Sequence, residues 1–374
     1  MRSILKVSIL FLCLLPHFFL SAGNLPEKNI KHILIISAYA DSNPWSNNFI
    51  TPIVTMASQD STIGAYTINL NMFALQKSKG DVEEFKKSIY ERLPTHPPKM
   101  VVFIGNASFI FCNNLNKIWP DIPMLLCGER NYTGPDSLII QAHALTPQQR
   151  IPISNLQTKL NLTMMHAKLF MEENLQLMKQ LIPKMNKVIY IADGTYMCQQ
   201  NDYDLSQTIK EKYPELEYQL ISAENTSTDS LFTILNQQNP HTTGLIFSSW
   251  LRKKDYENNL VITTNSHRII ATSPVPLFSF RKVGIQEEGG IVGGYIYNEK
   301  KYIDLMLKTI KDILHGQQPR YIPIYNAENG SPIFNYQSLL QRNLDPKRCP
   351  NNTIFYNAPP TFWEKYEYTI IGIV

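Results

Sequence analysis

The chain has 374 residues, 44% of them hydrophobic and 18% charged, with a formal net charge of +4. That balance describes a globular protein with a real core, long enough for two lobes or two domains, and it excludes a long disordered region. Two of the positive charges, Arg2 and Lys6, lie in a leader expected to be removed, and no basic stripe with interleaved aromatics occurs, so no nucleic-acid partner is expected.

Residues 1–23 have a basic start, an apolar run from Ile9 to Leu15 that continues past Pro16 to Leu20, and small residues at Ser21, Ala22 and Gly23. This is the layout of a signal peptide cleaved near Ala22 or Gly23, with a retained signal anchor as the competing reading. Cys13 follows Leu12 where a lipoprotein cysteine wants a small residue. Four cysteines remain after cleavage, Cys112, Cys127, Cys198 and Cys349. An even number in an exported chain permits disulfides, and Cys112 with Cys127 is the pair closest in sequence; buried thiols are the other reading. No Cys/His cluster has zinc spacing, and no cofactor is expected.

His32 to Asn48 reads HILIISAYADSNPWSNN. A buried strand at Ile33 to Ser37 stops at small and polar residues, and Asn43-Pro44 supplies an N-cap and a proline suited to the first helical position. The rhythm repeats: strands at Gly64 to Leu70, Met100 to Ile104, Ile122 to Leu126 and Ser137 to Ala142, with helices at Asp81 to Leu93 and Ala107 to Lys117. Strands alternating with helices of this length predict a parallel sheet covered on both faces.

A polar, proline-bearing passage, Thr146 to Thr163, interrupts this pattern, which then restarts. Helices are expected at Lys168 to Leu181, Asp204 to Lys212, Ser230 to Asn236 and Asp255 to Asn265. Strands are expected at Val188 to Ala192, Tyr218 to Ser222 and Gly244 to Phe247. After Thr272 come a strand-like Pro276 to Phe280, a glycine-rich patch and a helix from Tyr302 to Leu314. Tyr321 to Tyr325, Ile333 to Tyr336 and a short helix at Gln337 to Asn343 complete the set. These late pieces are too short for a third unit and are expected to add to the two earlier sheets. The expected division is 30–150 with 273–320 in one lobe, 151–272 with 321–350 in the other, and 351–374 as a tail. Phe362 to Val374 reads as the start of a transmembrane helix, far short of the ~20 apolar residues a span requires. Either the reading frame continues or the tail is a docking edge.

Enzyme signatures are lacking: there is no HExxH, no GxSxG, and GGIVGG at Gly289 to Gly294 is not followed by the Lys-Ser or Lys-Thr of a P-loop. The positive signal is one of position, because open α/β sheets bind ligands at the carboxyl ends of their strands. Tyr39, Asp41, Ser42 and Trp45 follow the first strand; Gly105, Asn106 and Ser108 the third; Glu129 the fourth. Asp193, Thr195 and Tyr196 follow one strand of the second half, and Ser248 and Trp250 another. Facing lobes would bring these groups into one cleft, where hydroxyls and carboxylates hydrogen-bond a solute and aromatic faces stack on it. Asp193 alone could also be a catalytic acid of an exported α/β enzyme, the less favoured reading.

The runs ISAYADSNPWSNNF, FIGNAS, CGERN, ENLQLMKQLIPKMNKVIYIADGT, GGIVGGY and NAPPTFWEKY together resemble the substrate-binding-protein-like family of ABC transporters. The version resembled is the one that forms the periplasmic sensor region of bacterial two-component histidine kinases. The resemblance implies a type I periplasmic-binding fold, α/β and two-lobed with several hinge crossings. It implies a periplasmic chain that closes on a small polar ligand such as a sugar and works with a membrane histidine kinase or an ABC permease. Matching ligand positions are Tyr39, Trp45, Asn106, Ser108, Asp193 and Trp250; Lys301-Tyr302 departs from the family's small residue at the helix start. A homodimer is left open as an assembly.

Overall fold

Ile33 to Ile36 are completely buried and divide between two cores, Ile33 and Ile35 facing one and Leu34 and Ile36 the other. A strand covered on both faces reads as a continuous apolar run rather than an alternating one, which is why this stretch is so plain in the sequence. The structure, a computed structural model, describes residues 30–41, 43–75, 82–253, 260–262, 266–287 and 289–360. The expected signal peptide and the expected membrane start lie outside the described residues. No helix among the described residues is long and apolar enough to cross a membrane.

In chain order the first sheet takes Lys31–Ser37 (β1), Ile63–Asn69 (β2), Met100–Ile104 (β3), Met124–Gly128 (β4) and Leu162–His166 (β5). The second takes Lys187–Ala192 (β6), Glu217–Ser222 (β7), Thr243–Phe247 (β8), Leu277–Ser279 (β9) and Gly293–Tyr297 (β10). Tyr325–Asn326 (β11) returns to the first sheet, and Gly330–Asn335 (β12) and Ile354–Tyr356 (β13) close the second. The spatial orders are β11-β5-β4-β3-β1-β2 and β13-β12-β10-β9-β8-β6-β7. The first sheet is parallel throughout; in the second only β10 and β12 run antiparallel. Helices cover both sheets, giving an α/β architecture of two lobes.

The chain changes lobe three times, between β5 and β6, after β10, and between β11 and β12. These borders differ from the expected ones at 150, 272 and 320. Leu162–His166 was hidden behind a polar passage and pairs with β4, while Leu277–Ser279 and Gly293–Tyr297 join the second sheet. Only then does the helix Glu299–Leu314 cross back, where Tyr302 packs on Phe49 and donates from its hydroxyl to the Met165 carbonyl at 2.7 Å.

Other expectations change as well. Ser137 to Ala142 is not a strand: Ser137 to Ile140 lie in the helix Asp136–Ile140, which starts after Pro135, and Gln141 and Ala142 follow it as a turn. Of the expected helix 255–265, most lies outside the described residues, and Leu260–Ile262 pairs antiparallel with Leu251–Lys253. Tyr321 to Tyr325 supplies only the short β11, after a 3-10 turn at Pro319–Tyr321. The Cys112–Cys127 disulfide is absent: all four described cysteines are free and buried, and these two belong to different cores. Burial pushes both thiols up to about 12.

Candidate functional site

The site begins where β1 ends. Asn43 caps the helix Pro44–Ser58 by accepting the Ser46 amide at 3.0 Å, as the sequence predicts, and the helix buries Trp45 and Phe49. Gly105, just beyond β3, has φ +85°, and a Cβ there would meet the Tyr39 ring at 2.7 Å. Glycine is required at that turn so that Tyr39 can lie over it. Tyr39 then stacks edge-on with Trp45, ring centroids 5.2 Å apart.

The second lobe presents the matching rim. Thr195 caps the helix Tyr196–Lys212 by accepting the Cys198 amide, Phe247 ends β8, and Ser248 to Trp250 follow it. Between the rims lies a cavity of about 180 Å³ walled by both lobes, with Tyr39, Trp45 and Phe73 on one side and Tyr196, Phe247 and Trp250 on the other. A volume of this order suits a small metabolite, and the wall mixes ring faces with hydroxyls from Thr195, Ser248 and Ser249.

One wall of the cavity is ionic. Arg281, two residues beyond β9, reaches across the lobes to Glu129, with Nε to Oε1 at 2.5 Å and Nη2 to Oε2 at 2.6 Å. Its Nη1 donates to Ser248 Oγ at 3.2 Å. Burial works against the charge on Arg281, but Glu129 overrides it and holds the guanidinium pKa above its ordinary value. A second junction ties the flank of the cleft: Asp204 of the second lobe accepts from Arg150 at 2.6 Å and the Tyr132 hydroxyl at 3.2 Å, and forms an ion pair with Arg130 Nε at 3.1 Å, all three partners belonging to the first. Beyond Arg281 and Trp45, which line both, lies a more polar cavity of about 270 Å³.

The structure brings Tyr39, Trp45, Thr195, Tyr196, Ser248 and Trp250 together at the cavity. It places the other expected residues elsewhere. Asn106 is buried as a staple: its Oδ1 accepts the Glu129 and Arg130 amides at 2.9 and 3.1 Å, and its Nδ2 donates to the Arg130 carbonyl at 2.6 Å. Ser108 is buried and donates to the Gly105 carbonyl. Gly105 shapes the turn without lining the cavity, and Glu129 is held by Arg281. Asp193 is fully buried behind the wall; its Oδ1 accepts the Thr195 amide at 2.9 Å and its Oδ2 has no partner among the described residues. Asp41 is exposed outside the cavity, and Ser42 lies outside the described residues.

Sequence reasoning missed Arg281, Phe73 and Cys198. Arg281 follows a three-residue strand with no helix after it, so the strand-end rule had little to seize on. Cys198 sits 3.4 Å from Ser248 Oγ, and burial pushes its thiol up to about 12.

No protein-family model and no curated relative matches the chain. Solved structures do. An ABC domain from Streptococcus pneumoniae in complex with L-Trp is 10% identical, covers 87% of this chain and 99% of its own, and superposes with a TM-score of 0.57. A conserved domain protein from Vibrio cholerae is 9% identical over 87% of this chain and 99% of its own, with a TM-score of 0.55. An Actinobacillus succinogenes protein, 8% identical, covers 79% of this chain and 95% of its own at a TM-score of 0.51. The fold is that of the two-lobed periplasmic binding proteins. In this periplasmic-binding-protein-like frame the cavity occupies the interlobe cleft, at the carboxyl ends of the strands of both sheets.

Proposed function

We propose that the chain binds one small solute between its lobes, closes on it, and passes the closed state to a membrane histidine kinase. The observation that carries the binding role is the cavity walled by both lobes at their strand ends. A ligand there shifts the open-to-closed balance by its differential affinity for the closed form. Ring faces and hydroxyls in the same wall favour a ring-bearing polar solute, a sugar or a related metabolite. No reaction is assigned: the one carboxylate considered for catalysis, Asp193, is fully buried.

Support for signalling comes from the end of the described chain. The strand Ile354–Tyr356 forms the edge of the second sheet, so closure of the lobes carries this last described strand with the second lobe. Delivery of the solute to an ABC permease is the second reading, favoured by likeness to a chain described as an ABC domain. Thermal shift against monosaccharides, aromatic amino acids and nucleosides tests the binding role. A cognate solute at about 100 times its Kd adds about 2.7 kcal/mol and raises Tm by several degrees. Trp45→Ala should weaken binding about tenfold or more. A panel that leaves Tm unmoved would count against the site. Deleting the gene separates the readings: lost solute-dependent transcription supports sensing, lost uptake supports delivery.

A further inference from the structure

Among the described residues, Arg281 is the one that lines the cavity with a charged head gripped from the opposite lobe. A guanidinium carries five N–H donors in a planar fork. Three of them are engaged, two by Glu129 and one by Ser248. One N–H remains on each terminal nitrogen of a side chain that lines the cavity and keeps 15% of its surface exposed, while Glu129 is 1% exposed. Glu129 is itself held in place, because its amide and that of Arg130 are fixed by Asn106.

We propose that Arg281 determines which acceptor the cleft takes, and that Glu129 is its positioning residue across the hinge. This rests on the cleft being the ligand site. Two consequences follow from the geometry. The bidentate pair spans the lobes, so the guanidinium is aimed into the cavity only when they are shut, and a ligand oxygen bound to its remaining N–H donors prefers the closed form. The carboxylate of Glu129 already balances the charge on Arg281, so the subsite takes an uncharged oxygen, a carbonyl or hydroxyl, and disfavours an anion. A carboxylate placed there would meet Glu129 on the same fork at close range.

The probes are acetate and its neutral counterpart acetamide, titrated against full-length protein and followed by quenching of tryptophan fluorescence, since Trp45 and Trp250 line the same cavity. Wild type should show no saturable response to acetate. Glu129→Gln should bind acetate at least about tenfold more tightly than wild type, with acetamide little changed, because the guanidinium charge is no longer covered. The Glu129→Gln, Arg281→Gln double variant should lose the gain. Wild-type binding of acetate that Arg281→Gln removes, or a folded Glu129→Gln with no gain, overturns the proposal. Should Glu129→Gln fail to fold, Glu129→Ala is refolded with either probe: recovery with acetate and not acetamide supports the pairing, and equal recovery or none refutes it. These outcomes are independent of the solute panel, whose failure would refute the binding role and leave the acetate result standing.

Discussion

Asn106 was expected to touch ligand and instead ties the loop after β4. Its amide group satisfies two buried N–H groups and a carbonyl, so Asn106→Ala strands several buried polar atoms at once. Leaving such groups unpaired costs about 1–3 kcal/mol each. Asn106→Ala should therefore lower the unfolding free energy by about 3 kcal/mol, read by urea denaturation, and loosen Glu129 with it. The residue type and its place after a strand were legible; its role was not. A strand-end Asn serves a ligand or a neighbouring loop equally well, and only the position of Glu129 and Arg130 decides between them. Tyr39, Trp45, Thr195, Tyr196, Ser248 and Trp250 do line the cavity, which lies where the strand ends of the two sheets face each other.

At the scale of elements, the central strands were the easiest to read. Ile33 to Ile36 and Met100 to Ile104 are apolar runs buried on both faces. Their stops coincide with an N-cap at Asn43 and a left-handed Gly105. Short strands were not legible: Leu277–Ser279 and Tyr325–Asn326 carry too few residues for a period, and their neighbours in space supply the pairing. The helix Glu299–Leu314 shows how such late pieces are anchored. Its Tyr302 ring lies among Phe49, Tyr297 and Tyr325, and its hydroxyl caps the Met165 carbonyl in β5, joining two lobe crossings. Tyr302→Phe should cost about 1 kcal/mol through the lost hydrogen bond. Tyr302→Ala should cost about 3–5 kcal/mol through the cavity it leaves, a difference that calorimetry resolves.

At the scale of the molecule, the hinge carries a titratable group. His166 ends β5, with Nε2 3.2 Å from the Glu129 carbonyl and Nδ1 2.9 Å from Asn326 Oδ1 on the returning strand. Burial lowers its pKa below the usual value of 6.5, and the hydrogen bonds to Asn326 and Glu129 only partly oppose this. The unfolded chain therefore binds a proton that the folded hinge resists. The stability tied to neutral His166 is complete above the unfolded pKa and is lost as pH falls through the folded one. Tm should drop on going from about pH 7 to about pH 5, and His166→Gln should flatten that drop. The two-lobed plan was legible from the repeat of strand and helix, but the borders between lobes were not. They depend on which sheet captures β5, β9 and β10, a choice made by pairing partners in other strands, such as β4 for β5 and β12 for β10, and written in no local pattern.

All of this turns on a solute held between the two rims. The most direct measurement is a crystal structure of the protein grown with the panel member that raises Tm most. Electron density for that solute between Tyr39, Trp45, Tyr196 and Trp250, in contact with Arg281, is the expected result. The same solute bound outside the cleft, with side chains filling the space between the rims, would contradict it.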